Sequence, residues 1–112
     1  MLVQTVEKIA VSSHLACLVD GSSTLSRSGL AVHQTGQWID PGFRGRVTLE
    51  LRCNNGVGYK LRPGMKIGQL VFFELRTRSE NPYNGRYQDQ DGPATPKSKN
   101  DFINPDEAKL AA

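Results

Sequence analysis

Long apolar runs, paired cysteines and clustered charge are all missing from this chain. No uninterrupted apolar stretch approaches the roughly 20 residues that a helix needs to cross a bilayer. The N-terminal MLVQTVEKIAV lacks a basic lead, and Glu7 and Lys8 interrupt its apolar character, which is not the pattern of a secretory leader. The expectation is a cytoplasmic protein with no membrane partner. Only two cysteines occur, Cys17 and Cys53, with no CxxC spacing. Each stands in an apolar, strand-like context, so they read as buried free thiols rather than a disulfide or a metal site. Basic residues exceed acidic ones by only three, 14 against 11. Arg44, Arg46, Arg52, Lys60, Arg62, Arg76 and Arg78 are dispersed, whereas a protein that binds polymeric nucleic acid gathers such charge on one face. They read as solvated surface, with room for a small polyanion such as a nucleoside triphosphate. Helical periodicity is lacking too, except over the last few residues, 105–112.

What is present is strand. The 112 residues suffice for one domain. Apolar and β-branched runs cover residues 2–11, 15–19, 30–39, 46–53, 59–62 and 66–75, punctuated by Gly, Pro or Asn. Asn54-Asn55-Gly56 and Arg62-Pro63-Gly64 have turn composition. Short strands at close spacing predict an all-β fold, a sandwich, jelly roll or distorted barrel.

The segment TGQWIDPGFRGRVTLEL, residues 35–51, is the densest in information. Asp40-Pro41-Gly42 is a turn signal between two strand-like runs. In the second run, Val47, Leu49 and Leu51 fall on one face while Thr48 and Glu50 fall on the other, because side chains alternate along a strand. A core strand has no need of that carboxylate, since glutamate is depleted in strands. From Arg76 the chain turns polar, yet Tyr83, Tyr87 and Phe102 are spaced through it. Plain disorder and ordering over a ligand or a neighbouring subunit both fit that composition.

Four pieces in order, DGSSTLSRSGL, WIDPGFRG followed by VTLEL, LRPGMKIGQL and RYQDQDGP, resemble the dCTP deaminases of the trimeric dUTPase superfamily. The resemblance spans about residues 5–99. It implies a distorted β-barrel or jelly-roll core over residues 1–75, a polar tail over 76–112 that closes over the active site, and a homotrimer with active sites where subunits meet. Glu50 matches the catalytic glutamate, and Ser23 and Arg27 match the serine and arginine that position water and the cytosine ring. Thr24, Thr35, Ile39, Asp40, Phe43 and Gln69 fall at substrate-binding positions, with Asp40 and Phe43 at the deoxyribose. Tyr83, Arg86, Tyr87 and Gln90 match positions that close over the triphosphate. Bland roles compete for several of these: a turn for Asp40, cap chemistry for Ser23, surface charge for Arg27, a subunit contact for Gln69.

Hydrolytic deamination at C4 of cytosine needs an activated water, a proton shuttle and a stabilised tetrahedral intermediate. Zinc deaminases use an HxE and PCxxC arrangement. His14 and His33 are not followed by such a glutamate, and PCxxC is absent, so a zinc-free route through one carboxylate is expected. Mg²⁺ would arrive on the triphosphate. The leading expectation is conversion of dCTP to dUTP and ammonia, with continuation to dUMP and diphosphate possible for such a motif set. The alternatives are a dUTP diphosphatase, with Asp40 orienting water, and a catalytically impaired nucleotide-binding protein. Ser22, standing where the family usually has a basic residue, motivates the last, together with an N-terminus that is short beside the longer family members. Gly36 and Gln37 before Trp38 depart from the family pattern beside the base.

Overall fold

The computed structural model describes residues 1–92. Seven strands and one helical turn succeed one another: β1 (Leu2–Ala10), β2 (Leu15–Gly21), α1 (Ser23–Arg27), β3 (Leu30–Ala31), β4 (Trp38–Ile39), β5 (Arg44–Glu50), β6 (Arg52–Cys53) and β7 (Gly68–Glu74). The fold is all-β, as expected. Its strands form three separate sheets, β1-β5, β4-β2-β7 and β3-β6, and among the described residues they do not close into a barrel.

β5 alternates as its sequence predicts. Gly45, Val47 and Leu49 are buried, Leu51 just beyond is buried too, and Arg46, Thr48 and Glu50 are partly exposed. The buried set joins Val11, Cys17, Val19, Val32, Ile39 and Phe43 in one core cluster. β1 lies antiparallel to β5, but between Gln4↔Thr48 and Lys8↔Arg46 it advances four residues while β5 advances two. The bulge is satisfied by side chains: the Val47 amide donates to Thr5 Oγ1 at 3.0 Å, and the Arg46 guanidinium donates to the carbonyls of Thr5 and Val6. Unpaired backbone groups at a bulge are costly unless something replaces the ladder partner.

Several expected strands are divided or missing. The run 30–39 contains only the two-residue β3 and β4, because Gly36 takes a positive φ of 70° and turns the chain between them. The run 46–53 is split at Leu51, where the chain changes sheets. Leu51 exchanges backbone bonds with Met1, after which β6 pairs with β3. Residues 59–62 are not a strand. The helical turn α1 was not foreseen, since five residues cannot display a 3.6-residue period. Leu25 anchors it in the interior, and Gly29 follows its end with φ 96°, a residue able to take the left-handed exit. Both cysteines are free, as expected, but only Cys17 is buried, and Cys53 is exposed on the short edge of β6. No helix among the described residues is long and apolar enough to cross a membrane.

Candidate active site

The Asp40-Pro41-Gly42 turn is fixed by three backbone bonds. Phe43 donates to the Asp40 carbonyl at 3.1 Å, Gly42 donates to Val11, and Val11 donates to Phe43, both at 2.8 Å. Asp40 is left exposed while Phe43 turns into the core. Against this turn lies the segment that follows Leu75. Tyr83 donates its amide to the Pro41 carbonyl at 2.7 Å, and its ring packs on Phe43 at 5.9 Å and 52°. The Tyr87 amide then donates to the Tyr83 hydroxyl at 2.9 Å. The approach is close enough that a β-carbon on Gly42 would stand 2.7 Å from Pro82 Cβ and 2.9 Å from the Tyr83 nitrogen.

Residues 88–91 then run along the edge of β5 that β1 leaves open. Asp89 donates to the Arg44 carbonyl at 2.7 Å, and Arg46 donates to the Gln90 carbonyl at 3.2 Å, giving a parallel bridge at Gly45↔Gln90. Gln90 Nε2 donates to the Arg46 carbonyl at 2.7 Å, and its Oε1 is buried with no partner among the described residues. Gln88, which the motifs did not single out, ties the turn to the segment. Its Oε1 accepts from the Arg44 amide at 2.6 Å, and its Nε2 donates to the carbonyls of Gly42 and Tyr83 at 2.8 and 3.2 Å. Only its place in RYQDQ, one residue after Tyr87, could have suggested it. Asp89 also forks onto Arg44, two bonds of 3.1 Å, and this carboxylate raises the Arg44 pKa through its hydrogen bond and charge.

Phe43, Tyr83, Tyr87 and Gln90 are thus drawn together, with Asp40 at the rim. The other candidates lie elsewhere. Glu50 ends β5, opposite Leu2, half-exposed on the outer face. Its carboxylate forms no hydrogen bond or ion pair among the described residues. Ser23, Thr24 and Arg27 are exposed on α1, which packs on β3, and no bond among the described residues links them to Glu50. Thr35 is exposed in the loop before β4, and Arg86 is exposed in the turn after Gly85. The side chain of Ile39 is buried opposite Cys17, so only its backbone could face a ligand. Gln69 Nε2 donates to Asp20 Oδ2 at 3.3 Å, tying β7 to the strand that leads into α1.

A cavity of about 840 Å³ opens between β1, β5 and residues 61–70, walled by Val3, Leu49, Leu61, Met65 and Leu70. Of the candidate residues only Gln69 lines it, so it is not where the acid–base chemistry would sit.

A family model described as dCTP deaminase-like matches residues 1–75. The chain belongs to the dCTP deaminase-like family. It is 46% identical over 107 residues to a protein of Acidothermus cellulolyticus named dCTP deaminase, dUMP-forming, covering 91% of this chain and 56% of that one. Proteins of the same name from Thermobifida fusca and Corynebacterium glutamicum are 43% and 41% identical, covering 91% and 93% of this chain and 55% and 58% of theirs. The chain therefore spans about half the length of the curated relatives it matches.

Proposed function

We propose that the chain carries out metal-free hydrolytic deamination of dCTP to dUTP and ammonia, followed by hydrolysis of dUTP to dUMP and diphosphate. The observation that carries this reading is the family match, together with relatives named for that substrate and product. In the proposed chemistry Glu50 takes a proton from water and the hydroxide adds to C4 of cytosine. The carboxyl group passes that proton to ring N3, then relays the proton of the new C4 hydroxyl to the amine; the C4–N bond breaks as C4=O forms, so water and dCTP give dUTP and ammonia. A single carboxylate can serve as base and then acid when bulk water is excluded. Ser23 and Arg27 would hold the water and the ring, with Thr24 and Thr35 at the substrate and the Asp40–Phe43 turn against the sugar.

Tyr83, Arg86, Tyr87 and Gln90 would receive the triphosphate. Their donors are hydroxyl, guanidinium and amide groups, which suit phosphate oxygens and not a cation. Mg²⁺ would accordingly come bound to the phosphates and neutralise part of their charge. Among the described residues no bond links Glu50 to the α1 residues, and in this proposal the site is completed between subunits of a homotrimer.

The test is to incubate the protein with dCTP and, separately, with dUTP, following ammonia and pyrophosphate. Both products from dCTP are expected. Ammonia alone would restrict the activity to deamination, and pyrophosphate from dUTP with no ammonia from dCTP would replace the reading by a dUTP diphosphatase. Neither product, with nucleotide still bound, would leave a binding protein.

A further inference from the structure

Arg46 carries no role in the proposed chemistry, yet its backbone and its side chain both bind the 88–92 segment. Its backbone nitrogen donates to the Gln90 carbonyl, and its own carbonyl accepts from Gln90 Nε2. Its Nε donates to Asp91 Oδ1 at 3.0 Å, and its Nη1 reaches the opposite way to the Thr5 and Val6 carbonyls in the β1 bulge. One planar fork thus binds the bulge of one strand and the carboxylate of an incoming segment. The next amide along, Gly92, is bonded to the Gln4 side chain at the start of the same bulge.

We propose that Arg46 is the positioning residue of this strap: through Asp91 and the β1 bulge it fixes Gln90, and with it Tyr87, in register on the open edge of β5. The consequence for nucleotide rests on the reading given under Proposed function. Three observations bear on which contact matters most. The Arg44–Asp89 pair has good fork geometry, but both its side chains are more than half exposed, whereas in the other pair only Asp91, at 62%, is exposed and Arg46 is at 26%. Exposed pairs are screened and contribute little, but a partly buried guanidinium that serves several acceptors at once has its direction fixed by them. Lysine could not replace Arg46, because a single ammonium cannot serve the bulge carbonyls and Asp91 in fixed planar directions. Finally, the residue beside Arg46 is Gly45, where a β-carbon would lie 3.0 Å from the Gln90 nitrogen. The RGR sequence therefore alternates two anchoring arginines with the one residue type that lets the strap approach.

The experiment uses Asp91→Ala, which removes an exposed partner and leaves the Arg46 contacts to β1 intact, with Asp91→Glu as the restoring variant. Amide hydrogen exchange is followed at Asp89 and Arg46, whose N–H groups bridge the strap and β5, alongside kcat and KM for dCTP. Exchange at those two amides should rise about two- to fivefold in Asp91→Ala, the range one partly exposed ion pair supports. Exchange within the β2–β7 ladder should stay at its wild-type rate. KM should rise with kcat unchanged, and Asp91→Glu should recover most of the loss. Arg46→Lys should show the same local increase in exchange. Unchanged exchange at Asp89 and Arg46 overturns the proposal. So does an equal increase across all sheets, which would make the pair a general stabiliser. The exchange result stands without turnover, so a wild-type protein that fails to process dCTP would remove the functional reading while exchange still decides the strap.

Discussion

Gly42 and Gly45 set how near residues 82–90 can come to the turn and to β5. At Gly45 the backbone is at φ 137° and a β-carbon would meet the Gln90 backbone at 3.0 Å, whereas at Gly36, φ 70°, it would meet nothing within 4 Å. Alanine at Gly36 should therefore show only the left-handed backbone cost, about 1 kcal/mol. Alanine at Gly45 adds a clash with main chain that cannot rotate away, and should cost about 2–3 kcal/mol by urea unfolding. Equal losses at the two sites would mean that the strap gives way freely. The cysteines allow a second residue-level check. Burial pushes the Cys17 thiol up, partly offset by a backbone hydrogen bond from Leu18, so it stays protonated and shielded. A thiol reagent should modify Cys53 in the native protein and reach Cys17 only after unfolding. Because the folded Cys17 titrates above its ordinary value of 9.0, the unfolded chain loses that proton first. Stability should decline as pH climbs past that value, and Cys17→Ala should remove that part of the slope.

At the scale of elements, β5 was legible because a two-residue period over seven residues is a strong signal, and the face bearing Thr48 and Glu50 came out as read. Leu49→Ala should cost about 2–5 kcal/mol, since Leu49 lies in the core cluster; a loss below 1 kcal/mol would contradict the buried face. Length hid α1: Ser23 read as cap chemistry and Arg27 as a surface charge because one helical turn leaves no periodic trace. Distance in sequence hid the strap. Arg44 and Asp89 are 45 residues apart, and nothing local to either announces the pairing. The visible sign was compositional, Tyr83 and Tyr87 in an otherwise polar stretch, and those two pack against the core. Residues 59–62 misled because Tyr and Leu among turn residues imitate a short strand. For Ile39 the sequence could not say that its side chain points inward. Phe102 and residues 105–112 lie outside the described residues.

For the whole molecule, the motifs marked the Asp40–Phe43 turn and residues 83–90, which pack together, but not how Glu50 meets α1. Glu50 ends β5, while α1 packs on β3, whose partner β6 begins two residues after Glu50. Under the proposed function the site is completed between subunits of a trimer. Sedimentation at micromolar concentration should give three times the protomer mass, and a monomer would leave the proposed site unassembled. If the site is shared, mixing and co-refolding inactive Glu50→Gln with inactive Arg27→Ala should restore part of the activity, because some interfaces then combine an intact Glu50 with an intact Arg27. No recovery from well-mixed trimers would place both groups on one chain.

The most direct measurement is ammonia release from dCTP by the wild type and by Glu50→Gln, with dCTP affinity measured on the same two proteins. Loss of the base and acid should lower the rate about 10²–10⁴-fold while affinity changes by no more than a few fold. A Glu50→Gln protein that releases ammonia at the wild-type rate would show that this carboxylate is not the group that moves the proton.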